Sequence, residues 1–265
     1  MFIGCAYYPE YWPEERWPED IRLMKEVGFN VVRLAEYSWV KMEPEEGVYV
    51  FDWLDRIINL CEANGIEVIL GTPTDSMPAW LAEKYPDALS EKEDGTRVLW
   101  GGRKNNCYSS EHFNRLSRKI ASRMAQHFKD NPTVIGWQVG NEYGPPESRS
   151  DSQRKQFQQF LKEKYKHLDN LNEKWGNAFW GHTFTSWEQI PIPLYWRFNP
   201  SMSLEWKRFH TAQICKHQAS QIEEIRKYDK ERFITHNFIG HHTVLDYPKL
   251  AEQLDFVSWD NYPIE

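Results

Sequence analysis

A chain of 265 residues can bury one sizeable α/β core or two small ones. Its net charge of -7, from 32 Lys and Arg against 39 Asp and Glu, argues against a nucleic-acid or anionic-membrane surface. The unusual quantity is the aromatic content, 15% with 13 Trp and 13 Tyr; a core explains part of it, and the surplus fits a protein that stacks flat ligand faces, such as those of sugars, on its rings.

In chain order, FIGCAYYP at 2–9 reads as a first strand, and the amphipathic stretch 14–28 as a helix stopped by Gly28. The N-terminal MFIGCAYYPEYW has neither the basic nor the apolar region of a signal peptide, and no stretch reaches the apolar length of a membrane span. The cysteines Cys5, Cys61, Cys107 and Cys215 form no C-x-x-C pair, so free thiols and a cytoplasmic location are expected. Strand two is 30–39. Leu54, Ile57, Ile58 and Cys61 then place one apolar face on a helix over 53–65, with Gly65 as its stop, and 66–73 is strand three.

After a long polar connection, Leu116, Ile120, Met124 and Phe128 mark a helix over about 110–128. VIGWQVGNEYG, residues 134–144, begins as strand four, with Val134, Ile135, Trp137 and Val139 suited to a packed sheet. It ends on Asn141 and Glu142 between two glycines, and burying a carboxylate costs several kcal/mol unless it is paired or neutral. The region 145–200 reads as a long irregular insertion with a helix around Phe157–Tyr165 and the aromatic cluster Trp175, Phe179 and Trp180. Asn199-Pro200 opens a long helix to about Tyr228, and 232–240 and 255–263 are strands five and six.

Repeated β-α units imply a parallel sheet with right-handed crossovers, closed as a barrel or open and doubly wound. Strand one ends in Tyr7-Tyr8-Pro9-Glu10 rather than a Gly-rich phosphate turn, which disfavours the doubly wound form. The strand ends instead carry Tyr8, Glu10, Glu36, Thr72, Thr74, Asn141, Glu142, His236, Asn237, Asp260 and Tyr262. Barrel enzymes build their pockets from such residues at C-terminal strand ends, so a barrel is expected. In that setting partial desolvation is expected to raise the pKa of Glu142 and to suit it to general-acid work.

Six segments occur in order: CAYYPEYWPEERWPEDIRLMKEVGFNVVRLAEYSW, EPEEGVYVFDWLD, VILGTPTDSMPAWL, GGRKNNCYSS, WQVGNEYG and SWDNYP. Together they resemble the catalytic domain of glycoside hydrolase family 42, the microbial β-galactosidases. The resemblance implies a (β/α)8 TIM barrel, a retaining two-carboxylate mechanism and removal of terminal β-galactose. By motif, Glu142 resembles the acid/base and Asn141 the residue that binds the sugar 2-hydroxyl. Arg103 resembles an arginine of the sugar subsite, against a solvated loop cation as the plainer reading. Tyr262 resembles the tyrosine that orients the nucleophile, against a core tyrosine with a wet hydroxyl. Trp180 either walls the galactose pocket or packs the insertion.

The sequence departs from the family in two places. Many members hold zinc on four cysteines, and here only Cys107 matches, since GPPESRSDSQRKQF contains none. No metal and no cofactor are therefore expected. The family's nucleophile is a glutamate ending strand seven, whereas this chain reads as a partial catalytic domain, 1–265, cut after about strand six. Glu36 and Asp260 read as supporting acceptors or partners of Arg33 or Arg103, Asp75 as a turn residue, and Glu265 lies on no recognisable strand end. The nucleophile is thus expected beyond residue 265, and the chain alone is expected to be inactive. The readings left open are a non-catalytic galactoside-binding remnant and the same barrel acting on an arabinopyranoside. The expected partner is a small carbohydrate, with no nucleic acid or membrane; the family suggests a homotrimer.

Overall fold

The computed structural model describes residues 1–144, 147–193, 199–240 and 244–263. Strand β1 is Gly4–Ala6, followed by helix α1, Trp17–Glu26. Strand β2, Val31–Leu34, leads through the short helix α2, Trp39–Met42, to α3, Asp52–Ala63, whose Leu54, Ile57, Ile58 and Cys61 are all buried. Then come β3, Glu67–Gly71, the short α4, Ala79–Lys84, and α5, Glu111–Phe128. Helix α5 buries Phe113, Leu116, Ile120, Met124 and Phe128 along one stripe, and Ser110 caps it by accepting the Phe113 amide.

Strand β4 is Val134–Gln138, and the helices α6, Asp151–Tyr165, and α7, Leu168–Trp175, follow it. The long helix α8 runs Pro200–Arg226, with Asn199 as the cap accepting the Ser201 amide at 2.8 Å. Strand β5, Phe233–Ile239, the short α9, Tyr247–Ala251, and β6, Phe256–Asp260, complete the described chain.

The six strands are all parallel and lie in the order β1-β2-β3-β4-β5-β6. A doubly wound sheet reverses its strand order at a switch point, and no reversal occurs here. The consecutive order is that of a barrel wall, as expected. At its two ends β1 and β6 each pair with one described neighbour, and Phe256, Val257 and Trp259 of β6 are about half exposed.

Residues 147–193 are more ordered than their polar sequence suggests. Helix α6 begins six residues before the expected Phe157, because Ser150 caps it by accepting the Gln153 amide at 3.2 Å. Phe157, Leu161, Leu171 and Trp175 of α6 and α7 pack with Met202, Trp206 and Phe209 of α8 into a second apolar cluster beside the main core. Few apolar positions lie among many charges in this stretch, so the helical period was partly hidden there.

Under β4, the Trp137 indole is fully buried and donates to Asp229 at 2.8 Å, while Arg232 pairs with the same carboxylate at 3.0 Å. Burial raises the Asp229 pKa, but these donors outweigh it and the carboxyl is held below its ordinary value. The stability that Asp229 adds is therefore present above its ordinary value of 3.8 and is lost as pH falls through the lower folded value. Asp229→Ala leaves the Trp137 N–H buried and unpaired, and chemical denaturation at neutral pH should show a loss of about 1–3 kcal/mol.

Candidate active site

A cavity of about 470 Å³ opens at the C-terminal strand ends. Glu142 and Asn141 follow β4, Asp260 ends β6 and Tyr262 lies two residues beyond it. Tyr8 and Tyr11 after β1, Arg33 on β2, Tyr37 after β2 and Arg103 from the loop before α5 enclose the opposite side. Size alone does not single out this cavity. One of about 590 Å³ is larger, but it lies along α5 among Arg115, Arg118, Lys119 and Arg123 and has Glu224 as its carboxylate. The convergence of carboxylates, a guanidinium and stacked rings marks the smaller one.

Strand β4 leaves the sheet through a sharp bend. Gly140 has φ +61°, and a Cβ there would come within 2.6 Å of the Tyr143 ring, so only glycine fits. Glu142 itself sits at φ +49°, in the left-handed region that a non-glycine residue seldom occupies. Ala35 at φ +78° and Lys104 at φ +57° share that conformation, next to Glu36 and Arg103. Such strain costs on the order of 1–3 kcal/mol per residue and persists where the surroundings over-determine it.

The electrostatics of Glu142 differ from the expectation. Burial does raise its pKa, but a hydrogen bond from Asp260 and the charges of Lys104 and Arg103 outweigh burial, and the net displacement is downward. Arg103 reaches a Glu142 oxygen at 2.9 Å and Lys104 lies 3.5 Å from the same oxygen. Its neighbour is displaced the other way. Burial and the Glu142 carboxylate hold Asp260 above its ordinary value, against a 2.7 Å hydrogen bond from Asn237.

Arg103, placed by its motif in the sugar subsite, does stand in the cavity, with its guanidinium 5.0 Å from the centre of the Tyr37 ring. Asn141 is buried, and its side-chain oxygen accepts from Asn237 at 2.9 Å. The Tyr262 ring is 70% exposed and its hydroxyl lies 3.5 Å from Glu142, so it is no core tyrosine. Trp180 stands apart from these residues. It is 79% exposed, stacks on Phe179, which is itself exposed, and belongs neither to the cavity wall nor to the apolar cluster of the insertion. It protrudes from a short turn in which it has φ +58°.

Glu36 is paired with Arg33 and accepts from the Tyr8 hydroxyl, as a supporting acceptor would. Glu10 is held by Ser38 at 2.6 Å, and Thr72 accepts the Gly140 amide at 2.8 Å. Thr74 is buried. Asp75 lies in a turn, as read, but is also 2% exposed, and its carboxylate takes the amide of Asn141. Lys104 was missed altogether, although it adjoins Arg103 in the GGRKNNC motif. Glu265 lies outside the described residues.

The residues present do not fit a four-cysteine zinc cluster. Cys107 is buried with its thiol 3.1 Å from the Ser109 hydroxyl, and the other three thiols lie on β1, α3 and α8. In the segment after the bend stand Ser148, Ser150 and Ser152; Ser148 accepts the Glu91 amide at 3.2 Å and Ser150 caps α6. Among the described residues no group of three or more His, Cys, Asp or Glu is placed to hold a metal, and no helix is long and apolar enough to cross a membrane.

A consecutive parallel sheet whose C-terminal strand ends hold carboxylates, an arginine and stacked tyrosines belongs to the TIM-barrel class of enzyme folds. Within that class, the chain belongs to glycoside hydrolase family 42, whose family model, described as Beta-galactosidase, matches residues 6–265. It is 41% identical over 265 residues to β-galactosidase BgaA of Clostridium cellulovorans, covering 99% of this chain and 40% of that protein. It is 39% identical over 267 residues to a β-galactosidase of Thermus thermophilus, covering 99% and 41%. The crystal structure of a β-galactosidase from Rahnella sp. R3 superposes with a TM-score of 0.95 at 38% identity, covering 100% of this chain and 39% of that one. The catalytic domain of a Paenibacillus polymyxa β-amylase, at TM-score 0.75 and 14% identity, shares the fold alone. The chain thus spans about two fifths of the length of the relatives it matches.

His236 and His217 are buried, and desolvation lowers the pKa of each to about 3. Both are bases with depressed folded values, so the unfolded chain binds protons first as pH falls below the ordinary value of 6.5. The melting temperature should therefore decline steadily as pH falls from about 6.5 towards about 3, and His217→Gln should flatten part of that slope. Elemental analysis of the purified protein should find well under one zinc per chain; a stoichiometric ion would mean that other ligands replace the cysteines.

Proposed function

We propose that this chain forms the acid/base side of a retaining β-galactosidase site, with Glu142 as the general acid/base. The observation that carries the reading is the placement of Glu142 in a cavity with Arg103, Asn141 and Tyr262. In the retaining reaction one carboxyl protonates the glycosidic oxygen while a second, about 5–5.5 Å away, attacks the anomeric carbon. Water then enters, and the first group, now the base, takes its proton.

The ion pair with Arg103 explains how an acid with a lowered pKa serves this role. Arg103 is half exposed and faces the cavity, so a sugar hydroxyl can take its N–H groups from Glu142. Loss of that partner, together with exclusion of water by the sugar, moves the Glu142 pKa upward at the moment the proton is needed. Asn141 offers the amide for the 2-hydroxyl, and the Tyr8, Tyr11 and Tyr37 rings offer faces for the C–H surfaces of the sugar.

The other carboxylates near the cavity are engaged: Glu36 with Arg33, and Asp260 with Asn237 and Glu142. We assign the nucleophile to a residue outside those described, in the part of the protein that the relatives possess and this chain does not span. By itself the 265-residue chain should then hydrolyse galactosides negligibly. We further place the whole protein in the cytoplasm, acting on small β-galactosides as a homotrimer.

In the whole protein, Glu142→Gln should lower kcat on lactose, a poor leaving group, by about 10²–10⁴-fold. The first step on an activated aryl galactoside needs little protonation and should suffer far less. Equal losses on both substrates would remove Glu142 from the acid role.

A further inference from the structure

The bend after β4 has almost no strand to pair with, and side chains take its amides. Gly140 N–H goes to Thr72 Oγ1 at 2.8 Å and Tyr143 N–H to His236 Nε2 at 3.2 Å. Glu142 N–H is shared between the Asn237 carbonyl at 3.2 Å and its side-chain oxygen at 3.3 Å. The Asn141 amide alone meets a carboxylate, that of Asp75. Asp75 is buried and is not part of the cavity wall, so it touches no substrate there. A charged acceptor forms a hydrogen bond roughly twice as strong as a neutral one. The strongest of the four anchors thus sits one residue before the strained Glu142.

We propose that Asp75 is a positioning residue whose carboxylate, by accepting the Asn141 amide, holds Glu142 in the left-handed turn that presents it to the cavity. The proposal rests on the acid/base reading of Glu142 given above. Asp75 is tied in turn to the arginine loop, since its own carbonyl accepts the Lys104 amide at 3.3 Å. One residue therefore joins the loop that supplies Arg103 and Lys104 to the bend that supplies Asn141 and Glu142.

The charges facing Asp75 are those of Lys104, Arg103 and Glu36, and the rings of Tyr37, Tyr108 and Tyr143 surround it. Burial raises its pKa to about 7 and Glu36 adds to the rise, while Lys104, the Asn141 amide and Arg103 oppose it. With its folded value above the ordinary 3.8, Asp75 favours folding at low pH and loses that contribution as pH rises through about 7. Its charge therefore costs stability over the range in which it best holds the bend.

The test uses Asp75→Asn and Asp75→Ala in the whole protein, with Glu142→Gln measured alongside. Asp75→Asn should lower kcat at pH 8 by about 10- to 100-fold on lactose and by clearly less on an activated aryl galactoside, with KM nearly unchanged. The parent protein's kcat profile should show an acid limb near pH 7 that the variant lacks, and the variant's melting temperature above pH 7 should rise. Hydrogen exchange at the Asn141 amide should quicken by about tenfold or more while amides within β4 stay protected, a readout a general loss of packing would not give. If Asp75→Ala does not fold, the Asn variant and the exchange data decide. Parent-like kcat and exchange in Asp75→Asn, with the Glu142→Gln leaving-group split intact, would sink the Asp75 proposal alone. Absence of that split would sink the acid/base reading whatever Asp75 does.

Discussion

Four consecutive amides, from Gly140 to Tyr143, leave β4 where the sheet can no longer receive them, and the site depends on where they go. Buried N–H groups without acceptors cost about 1–3 kcal/mol each, and Glu142 adds the strain of a left-handed turn. Thr72, Asp75, His236 and Asn237 absorb that cost from the loop after β3 and from β5. Each acceptor lies on β5 or in the loop that directly follows β3, the two neighbours of β4, so strand pairing and site geometry are tied together. His236 shows the economy of the arrangement. Its Nδ1 bonds the Val139 carbonyl at 2.7 Å and Nε2 accepts from Tyr143, which fixes a neutral ring with the proton on Nδ1.

The charges at the cavity form a chain. Arg33 serves Glu36, Arg103 and Lys104 serve Glu142, and Asp260 lies between Glu142 and Asn237. Carboxylates this close repel one another unless cations or shared protons intervene, and here cations flank both Glu36 and Glu142. Arg103 is half exposed and open to an incoming ligand, Arg33 and Lys104 are less than a quarter exposed, and Glu36 and Glu142 are buried. One accessible guanidinium against a buried carboxylate suits a site that must exchange an internal partner for a hydroxyl-rich substrate.

Much of the fold was legible because periodicity and caps are local. The four-residue stripe of α5, the Asn199-Pro200 start of α8 and the glycine stops after α1 and α3 each needed only a dozen neighbouring residues to read. Glu142 was legible too, as an acid that ended an apolar strand. Asp75 was not, because its partner Asn141 is 66 residues away and a lone Asp beside prolines also fits a turn. The lowered pKa of Glu142 was hidden for the same reason: Arg103 lies 39 residues upstream, and only the fold brings it to 2.9 Å.

Helix α8 carries the last link between the insertion and the site. Its first half gives Met202, Trp206 and Phe209 to the second apolar cluster, and its second half gives Ile214 and Ile225 to the main core. Between the two lies His217, stacked on Phe113 of α5 and bonded to Asn114 at 2.8 Å, which fixes the helix against the barrel wall. A helix with its buried face changing partner along its length shows no single clean stripe, which is why its caps rather than its pattern announced it. Beyond its end, the buried Asp229 takes the Trp137 indole of β4, and β5 then delivers His236 and Asn237 under the bend. A disturbance of the insertion core thus has a continuous packed route, through α8 and β5, to the amides that hold Glu142.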